Sequence, residues 1–319
     1  MLFPHRRGKM GIKKVRQIMT KEQLLKNLSV PTGRVDVVID TDAKNEVDDQ
    51  FAIGYLLKSS EKLNTVAIYA APFSWPGKAT VAEGMEESYQ EILKLLDLMG
   101  EERPAFRGAT RYLESSDEPV LSDAVLDLCD RVKGYSSERP LYILAIGALT
   151  NIASAILHCP EIKEKAVLVW LGGHGHELGW TDEFNMRQDM RATRIVMRSG
   201  IPFIQIPCEC VASVFSISAP ELKEYLVGKN PLANYLANNV LRAQENAKDK
   251  KWARVLWDVV AVGWLLNDDS RFMMSRVMPT YVPNDGYKYV LEDGAPESSY
   301  VFWVNRTALM TDLIDKLTK

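Results

Sequence analysis

The chain has 319 residues, of which 46% are hydrophobic and 25% charged, and this length is enough to bury a large core. Such a composition excludes a disordered, collagen-like or disulfide-scaffold protein. Its 39 Lys and Arg against 42 Asp and Glu give a net charge of −3, which argues against nucleic acid or an anionic membrane surface as the main partner. We therefore expect a small-molecule partner.

The first segment of the chain, residues 1–33, is predicted to be an appendage to the domain that follows. It is basic and contains one amphipathic helix, residues 21–28, before Pro31. It has no apolar stretch long enough for a signal peptide, so we expect a cytoplasmic protein. Residues 34–319 are predicted to form a single domain.

From residue 35 onward, short apolar runs alternate with longer helical patterns. Runs typical of parallel strands covered on both faces lie at residues 35–40, 65–70, 141–146, 166–171 and 202–207. Helices are predicted between and after them, at residues 48–58, 79–99, 122–132, 149–157 and 190–199. This order predicts an α/β fold with a doubly wound, mostly parallel sheet and helices on both faces.

The uncharged stretch at residues 141–157 is the one place where a membrane span has to be considered. It contains Thr150, Asn151 and Ser154 as well as a break at Gly147. These residues favour a buried strand followed by a helix. We therefore predict no membrane partner.

The last hundred residues change in character and are predicted to cap the sheet. Three helical patterns lie at residues 219–227, 231–247 and 256–266. Strands at 287–291 and 300–304 flank a polar turn and predict a C-terminal hairpin, which is followed by a helix at 307–317.

Acidic residues are concentrated directly after the first predicted strand. The five acids within ten residues are Asp40, Asp42, Glu46, Asp48 and Asp49. The carboxyl edge of an open α/β sheet is where ligands bind, and clustered carboxylates there repel one another unless a cation compensates them. Because every donor is an oxygen, the pattern favours Ca²⁺ or Mg²⁺ over zinc, and the higher and more flexible coordination number of Ca²⁺ fits a cluster on a loop better. Helix capping by Asp48 and Asp49 is the simpler alternative, but it leaves Asp40 and Asp42 unexplained.

Four segments together resemble the calcium-dependent nucleoside hydrolases, the inosine-uridine preferring family. DTDAKNEVDD at 40–49 resembles D-x-D-P-G-x-D-D with two extra residues and no Pro-Gly, and IGALTNIA at 146–153 is similar to G-P-L-T-N-I-A. DEFNMRQD at 182–189 resembles E-F-N-x-x-x-D, and WDVVAV at 257–262 resembles H-D-x-x-A-V with Trp in place of His. The resemblance implies a hydrolase that releases ribose and a base from a nucleoside, assembled as a homodimer or homotetramer.

The same resemblance implies roles for individual residues. The calcium ligands would be the carboxylates of Asp42, Asp49 and Asp258 and the main-chain carbonyl of Ile146. Asp42 would also act as a catalytic residue by accepting the proton of the attacking water. Ribose hydroxyls would be bound by Asp48, Glu183 and Asn185, and Asp40 would support the loop.

Aromatic and histidine residues near the predicted mouth are candidate substrate contacts. Trp257, beside Asp258, replaces a histidine that could protonate the departing base, and stacking on its indole would promote departure of a purine. Trp75 lies in the segment AAPFSWPG, which follows the strand at 65–70 and lacks the asparagine that the family usually has after that strand. His176, with His174, could bind a ligand or protonate a leaving group, or could be an ordinary loop residue.

Two other functions remain open at this point. The run VDVVIDTD also resembles the strand-end D-x-D of haloacid-dehalogenase-type phosphatases, which predicts Mg²⁺ dependence and release of phosphate. This chain lacks two asparagines that the family usually has, one after the strand at 65–70 and one six residues before the E-F-N glutamate. Their absence and the Trp at position 257 would also fit a sugar- or nucleoside-binding relative that retains the metal without turnover.

Overall fold

The computed structural model describes residues 19–114, 117–246 and 253–319. Twelve strands lie within these ranges: Val35–Thr41 (β1), Leu63–Ala70 (β2), Ala105–Arg107 (β3), Leu141–Ala145 (β4), Ala166–Leu171 (β5), Phe203–Ile206 (β6), Ser216–Ile217 (β7), Arg254–Val255 (β8), Met273–Pro279 (β9), Tyr281–Pro283 (β10), Tyr289–Leu291 (β11) and Glu297–Val304 (β12). Eight of them form one sheet in the order β3-β2-β1-β4-β5-β6-β12-β9, parallel except for β9. The mostly parallel sheet is the one that the sequence predicts.

Twelve α-helices occur in the same described ranges: Lys21–Asn27 (α1), Asp49–Leu57 (α2), Val81–Met99 (α3), Asp123–Arg131 (α4), Thr150–His158 (α5), Ile162–Lys165 (α6), Phe184–Gln188 (α7), Met190–Arg198 (α8), Ala219–Tyr225 (α9), Pro231–Asn246 (α10), Val259–Leu265 (α11) and Arg306–Leu317 (α12). The helix α3 shows why the boundaries fall where they do. Thr80 and Glu83 form a capping box at its start, and Gly100 ends it in the left-handed conformation. The predicted last residue of α10, Ala247, lies outside the described residues.

Two hydrophobic cores cover the two faces of the sheet. Successive residues of a strand point to opposite faces, so Val37 and Ile39 join one core while Val38 joins the other. The first core is completed by residues of α2, α3, α10, α11 and α12, and the second by residues of α4, α5 and α8. This arrangement confirms the doubly wound architecture. No helix in the described part of the chain combines the length and apolar character needed to cross a bilayer.

The predicted C-terminal hairpin between residues 287–291 and 300–304 is wrong in its pairing. The strand β11 pairs with β10, and β12 enters the main sheet between β6 and β9. The physical reason is burial. Residues 298–301 in the middle of β12 are buried, so the backbone N–H and C=O groups at both edges of the strand need neighbouring strands as hydrogen-bond partners. The apolar runs themselves were correctly predicted as strands.

The predicted appendage is only partly described, because residues 1–18 lie outside the described residues. The helix α1 begins after Thr20, whose side chain accepts the Gln23 N–H at 3.1 Å. The side-chain amides of Gln23 and Asn27 both donate to the Ser137 carbonyl, and Leu28 is buried. The boundary between appendage and domain at residue 33 stays a prediction.

The strand order places a crevice at one position in the sheet. Strands are added on one side of β1 from β2 to β3, and on its other side from β4 onward. At such a switch point the loops after neighbouring strands diverge and leave a crevice at their carboxyl ends. The acidic loop that follows β1 and the segment that follows β4 both lie there.

Candidate active site

Asp40 is a buried structural link at the end of β1. Its Oδ1 accepts a hydrogen bond from Asn151 Nδ2 at 2.7 Å, and Asn151 Oδ1 in turn accepts the Ala109 N–H at 2.8 Å. Burial raises the pKa of Asp40 to about 7, although the Asn151 hydrogen bond lowers it. Asp40 does not line the cavity described below. Its hydrogen bond with Asn151 links the end of β1 to α5.

The loop between Asp42 and Asp48 is held against α3 by polar contacts. Lys44 Nζ lies 3.2 Å from Glu91 Oε2, and Gln50 Nε2 donates to the Ala43 carbonyl at 2.8 Å. Glu91 also accepts a hydrogen bond from the Tyr235 hydroxyl, and it is only 4% exposed. This loop lacks Pro-Gly, and these side chains determine its path.

Three carboxylates converge at the start of α2 and α11. One oxygen each of Asp48, Asp49 and Asp258 lies within 4.8 Å of the others, and all three residues are buried. The Thr41 hydroxyl donates to Asp49 Oδ1 at 2.6 Å. Burial and the nearby charge of Asp48 raise the pKa of Asp49 to about 8, and burial with the neighbouring carboxylates raises the pKa of Asp258 well above its ordinary value. A cation or bound protons must compensate this cluster.

Asp42 completes the acidic floor of the same cavity. It is buried, and its Oδ2 has no hydrogen-bond partner in the described part of the chain. A side chain at Gly147 would bring its Cβ within 3.0 Å of Asp42 Oδ1, so this glycine allows the close approach. Burial, with the charge of Asp49, raises the pKa of Asp42 well above its usual range. An unpartnered carboxylate oxygen beside three clustered carboxylates fits a hard cation such as Ca²⁺.

These residues enclose a cavity of about 210 Å³. Its lining includes all the predicted metal ligands and ribose contacts together with Trp257, namely Asp42, Asp48, Asp49, Ile146, Glu183, Asn185, Trp257 and Asp258. The structure therefore brings together predicted metal ligands and predicted sugar contacts from distant parts of the chain. Their individual roles stay predictions.

Glu183 and Asn185 are oriented by the first turn of α7. The Glu183 carboxylate accepts the backbone N–H groups of Gly173, Asn185 and Met186 at 2.8 to 2.9 Å. Burial raises the pKa of Glu183, although these three hydrogen bonds lower it. The Asn185 amide donates to the carbonyls of Ile146 and Leu171 at 3.3 and 3.1 Å. Both side chains are thus fixed before any ligand binds.

Arg254 does not line the cavity, but it pairs with two acids that do, and the sequence does not predict this contact. Its guanidinium makes ion pairs with Glu46 and, at 3.1 Å, with Asp48. Although burial lowers it, the pKa of Arg254 is raised by these two carboxylates. Arg254 lies 206 residues after Asp48 and belongs to no motif, so nothing in the local sequence indicates the contact.

Trp75 and His176, both predicted substrate contacts, do not line the cavity. Trp75 donates its Nε1 to Asn45 Oδ1 at 2.8 Å, and its ring packs on Phe184 with 4.8 Å between centroids. The His176 ring packs among Tyr281, Tyr289 and Tyr300, with centroids 4.4 to 4.9 Å apart. The structure thus gives both residues protein partners, and His174 is the histidine that reaches the cavity.

The phosphatase alternative does not fit this geometry. It requires Asp40 as an accessible nucleophile, whereas Asp40 is fully buried and hydrogen-bonded to Asn151. The segments around Glu183 and Asp258 would also have no role in that reaction, yet both line the cavity.

Comparison with known proteins finds a family whose sequence model matches most of this chain. The sequence model of the inosine-uridine preferring nucleoside hydrolases matches residues 37–305. The pyrimidine-specific ribonucleoside hydrolase RihA of Salmonella typhimurium is 31% identical over 139 residues, which cover 42% of this chain and 44% of the relative. The match therefore spans less than half the length of these curated relatives.

Solved structures of similar fold extend over most of the chain. The purine-preferring ribonucleoside hydrolase from Gardnerella vaginalis covers 89% of this chain and 98% of its own at 21% identity, with a TM-score of 0.69. A plant nucleoside hydrolase covers 89% of this chain and 99% of its own at 21% identity, with a TM-score of 0.71. At these identities the likeness shows a shared fold.

Proposed function

The chain belongs to the family of inosine-uridine preferring nucleoside hydrolases, and from this premise we propose that it hydrolyses the N-glycosidic bond of a nucleoside to release ribose and a base. The observation that carries the proposal is the convergence of Asp42, Asp49 and Asp258 with Glu183 and Asn185 around one cavity. The carboxylates supply the charge needed to hold a cation and to activate water, and the other two residues supply groups for a sugar.

We propose Ca²⁺ as the cation, held by the carboxylates of Asp42, Asp49 and Asp258 and the carbonyl of Ile146. An oxygen of Asp48 lies in the same cluster and is an alternative ligand. Bound there, the cation would neutralise the clustered carboxylates and lower the pKa of a water molecule. The all-oxygen donor set and the unpartnered Asp42 Oδ2 support this assignment.

The protein side chains would divide the chemistry between them. Asp42 takes a proton from the water that attacks the anomeric carbon. Asp48, Glu183 and Asn185 hold the ribose hydroxyls and fix the sugar against that water. The bonding electron pair of the N-glycosidic bond moves onto the base, and the positive charge that develops on the sugar is stabilised by the surrounding carboxylates.

We further propose that purines are the preferred leaving groups, because Trp257 lines the cavity beside Asp258. The family relatives include a pyrimidine-specific and a purine-preferring hydrolase, so family membership leaves the base open. Replacing Trp257 with Ala should lower kcat/KM for inosine roughly tenfold to a hundredfold through lost stacking, whereas Trp257→Phe should retain much of it. Unchanged inosine hydrolysis by Trp257→Ala, or a wild-type preference for uridine, would contradict purine stacking.

The proposed activity is tested by incubating the protein with inosine, uridine and an alkyl phosphate, each with Ca²⁺ and with a chelator. Reducing sugar should appear only from the nucleosides and only with Ca²⁺, and no phosphate should be released. Two contacts favour the non-catalytic alternative, since Arg254 already pairs with Asp48 and the Asn185 amide already donates to the Ile146 carbonyl. Nucleoside binding without sugar release would identify that alternative.

Assembly and location complete the proposal. The family resemblance leads us to propose a homodimer or homotetramer that acts on a small-molecule nucleoside. We propose the cytoplasm as its location because residues 1–33 contain no apolar stretch long enough for a signal peptide. Light scattering of the purified protein tests the assembly state, and a monomer at micromolar concentration would contradict it.

A further inference from the structure

The loop between Asp42 and Asp48 presents an amide to the cavity. Asn45 lines the cavity and is half-buried, and its backbone N–H donates to the Asp42 carbonyl at 2.8 Å. Its side-chain Oδ1 accepts a hydrogen bond from Trp75 Nε1 at 2.8 Å. Because an indole N–H only donates, this contact fixes which atom of the amide faces Trp75. The Nδ2 group is therefore the end left for a ligand.

Trp75 is itself held in place from two directions. Its backbone forms a closed turn with Ala79 through reciprocal 3.0 Å hydrogen bonds, and its ring packs on Phe184 at 4.8 Å between centroids. Phe184 lines the same cavity as Asn45. Asn45, Trp75 and Phe184 thus form one wall, in which an amide donor lies beside an aromatic ring.

Most polar groups that line the cavity are carboxylates, and the donors beside Asn45 are Asn185, Arg187, His174, Cys208 and Trp257. His174 accepts the Glu209 N–H at its Nδ1. The Asn185 amide already donates to two carbonyls, and Arg187 is paired with Asp182 at 2.7 Å. Asn45 Nδ2, in contrast, has no acceptor in the part of the chain that the structure describes. It is available to a substrate atom that accepts a hydrogen bond.

Depth in the cavity indicates which part of a substrate meets this wall. The carboxylates of Asp48, Glu183 and Asp258 form the floor, with exposures of 2%, 6% and 4%. Asn45 and Phe184 are half-buried and lie nearer the mouth. A nucleoside whose ribose sits on the floor carboxylates extends its base towards these two residues.

We propose, on the basis of the proposed function, that Asn45 contacts the leaving base and that Trp75 is its positioning residue. Asn45 Nδ2 donates to a carbonyl oxygen or an unprotonated ring nitrogen of the base, whose face lies against Phe184. As the N-glycosidic bond breaks, its electron pair moves onto the base, and a fixed donor to that ring stabilises the developing negative charge. The residue thereby promotes departure of the base without itself transferring a proton.

The test compares Asn45→Ala on two kinds of leaving group. With inosine, kcat/KM should fall at least tenfold, because a fixed donor to developing charge has been removed. With 4-nitrophenyl β-D-ribofuranoside, whose leaving group is already stable as an anion, the change should be less than about threefold. Calcium affinity, measured by titration calorimetry, should stay unchanged and shows that the acidic loop is intact.

The positioning role of Trp75 is tested separately with Trp75→Phe, which removes the indole N–H while retaining a ring beside Phe184. Like Asn45→Ala, it should lower kcat/KM for inosine much more than kcat/KM for the 4-nitrophenyl riboside. The double variant Asn45→Ala with Trp75→Phe should have the same kcat/KM for inosine as Asn45→Ala alone. Trp303→Phe makes the same substitution at an exposed tryptophan far along the chain, and as a control it should leave kcat/KM for inosine unchanged. Additive losses in the double variant would show that Trp75 does not act through Asn45.

Equal losses on both leaving groups, or no loss on either, would overturn the role of Asn45. If the wild-type protein releases sugar from neither substrate, the proposed function fails. Calorimetric titration then still tests the contact between Asn45 and the base. If the contact exists, Asn45→Ala should weaken the binding of inosine more than the binding of ribose. Inosine affinity equal to that of the wild type would overturn the inference in that case too.

Discussion

Asp49 is the residue in which burial, charge and calcium binding are most directly linked. An aspartate in an unfolded chain has a pKa near 4, whereas burial and the charge of Asp48 raise the pKa of Asp49 to about 8. The folded, metal-free protein therefore holds a proton that the unfolded chain releases. The contribution of Asp49 to the free energy of unfolding decreases as the pH rises from about 4 to about 8.

Calcium binding should consequently depend on pH. Because ligand carboxylates must lose their protons before they bind the cation, calcium affinity should rise with pH, by about tenfold per pH unit for each proton released. Calorimetry at several pH values, in buffers of different ionisation enthalpy, measures both the affinity and the protons released. Asp49→Asn should lower the affinity and reduce the number of protons released. An affinity independent of pH in the wild type would contradict a protonated cluster.

Recognition of the sugar should depend on its vicinal hydroxyls, since Asp48, Glu183 and Asn185 are the polar groups proposed to hold them. A buried site built for a hydroxyl rejects the analogue that lacks it, so ribosides should be hydrolysed roughly 10³-fold faster or more than 2′-deoxyribosides. The ratio of kcat/KM for inosine and 2′-deoxyinosine measures this. Asn185→Ala should lower the ratio of kcat/KM for inosine to kcat/KM for 2′-deoxyinosine. Asn238→Ala, on the exposed face of α10, should leave this ratio unchanged. Equal rates for both nucleosides would reject the assigned sugar contacts.

At the scale of elements, the acidic loop is attached to the fold through α3. Glu91 accepts hydrogen bonds or ion pairs from Lys44, Gln50 and Tyr235, which come from the loop, the start of α2 and α10. A buried carboxylate with three partners links these elements more firmly than the loop backbone does alone. The position of the loop should therefore be sensitive to a residue that does not line the cavity.

Replacing Glu91 with Ala should remove the carboxylate that Lys44 and Tyr235 contact, lower the free energy of unfolding by about 1 to 3 kcal/mol, and weaken calcium binding. Glu91→Gln retains the size and one acceptor, so it should recover part of both losses. Glu87→Ala, one turn earlier on the exposed face of α3, is the matched control and should change neither. Denaturant unfolding and calcium titration measure the two effects. Calcium affinity that stays at the wild-type value in Glu91→Ala would show that the loop does not need this attachment.

The sequence predicts strands that are buried on both faces, but it does not predict which distant strands pair with one another. The strand Ala166–Leu171 is a continuous apolar run, and its predicted bounds agree with the structure. The strand Glu297–Val304 was recognised in part, but its partners β6 and β9 depend on long-range packing that no local pattern encodes. For the same reason Trp75 could be noticed as an aromatic residue, while its contact with Asn45 could not be predicted.

For the whole molecule, the topology accounts for where the candidate site lies. The strand order reverses at β1, so the acidic loop after β1, the segment after β4 and the start of α11 meet at one edge of the sheet. The motifs at 40–49 and 257–262 were visible in the sequence because they combine unusual residue types at short spacing. Arg254 is a basic residue outside these motifs, and only the folded chain shows that it pairs with Glu46 and Asp48.

We propose that the protein hydrolyses nucleosides in this acidic cavity with the help of calcium. The most direct measurement is the rate of ribose release from inosine by chelator-treated protein that is then titrated with CaCl₂, compared with Asp42→Asn at saturating calcium. We predict no release without calcium, recovery as calcium is restored, and a rate in Asp42→Asn lower by roughly 10² to 10⁴-fold because the general base is lost. Ribose release that persists without calcium, or that is unchanged in Asp42→Asn, would contradict the claim.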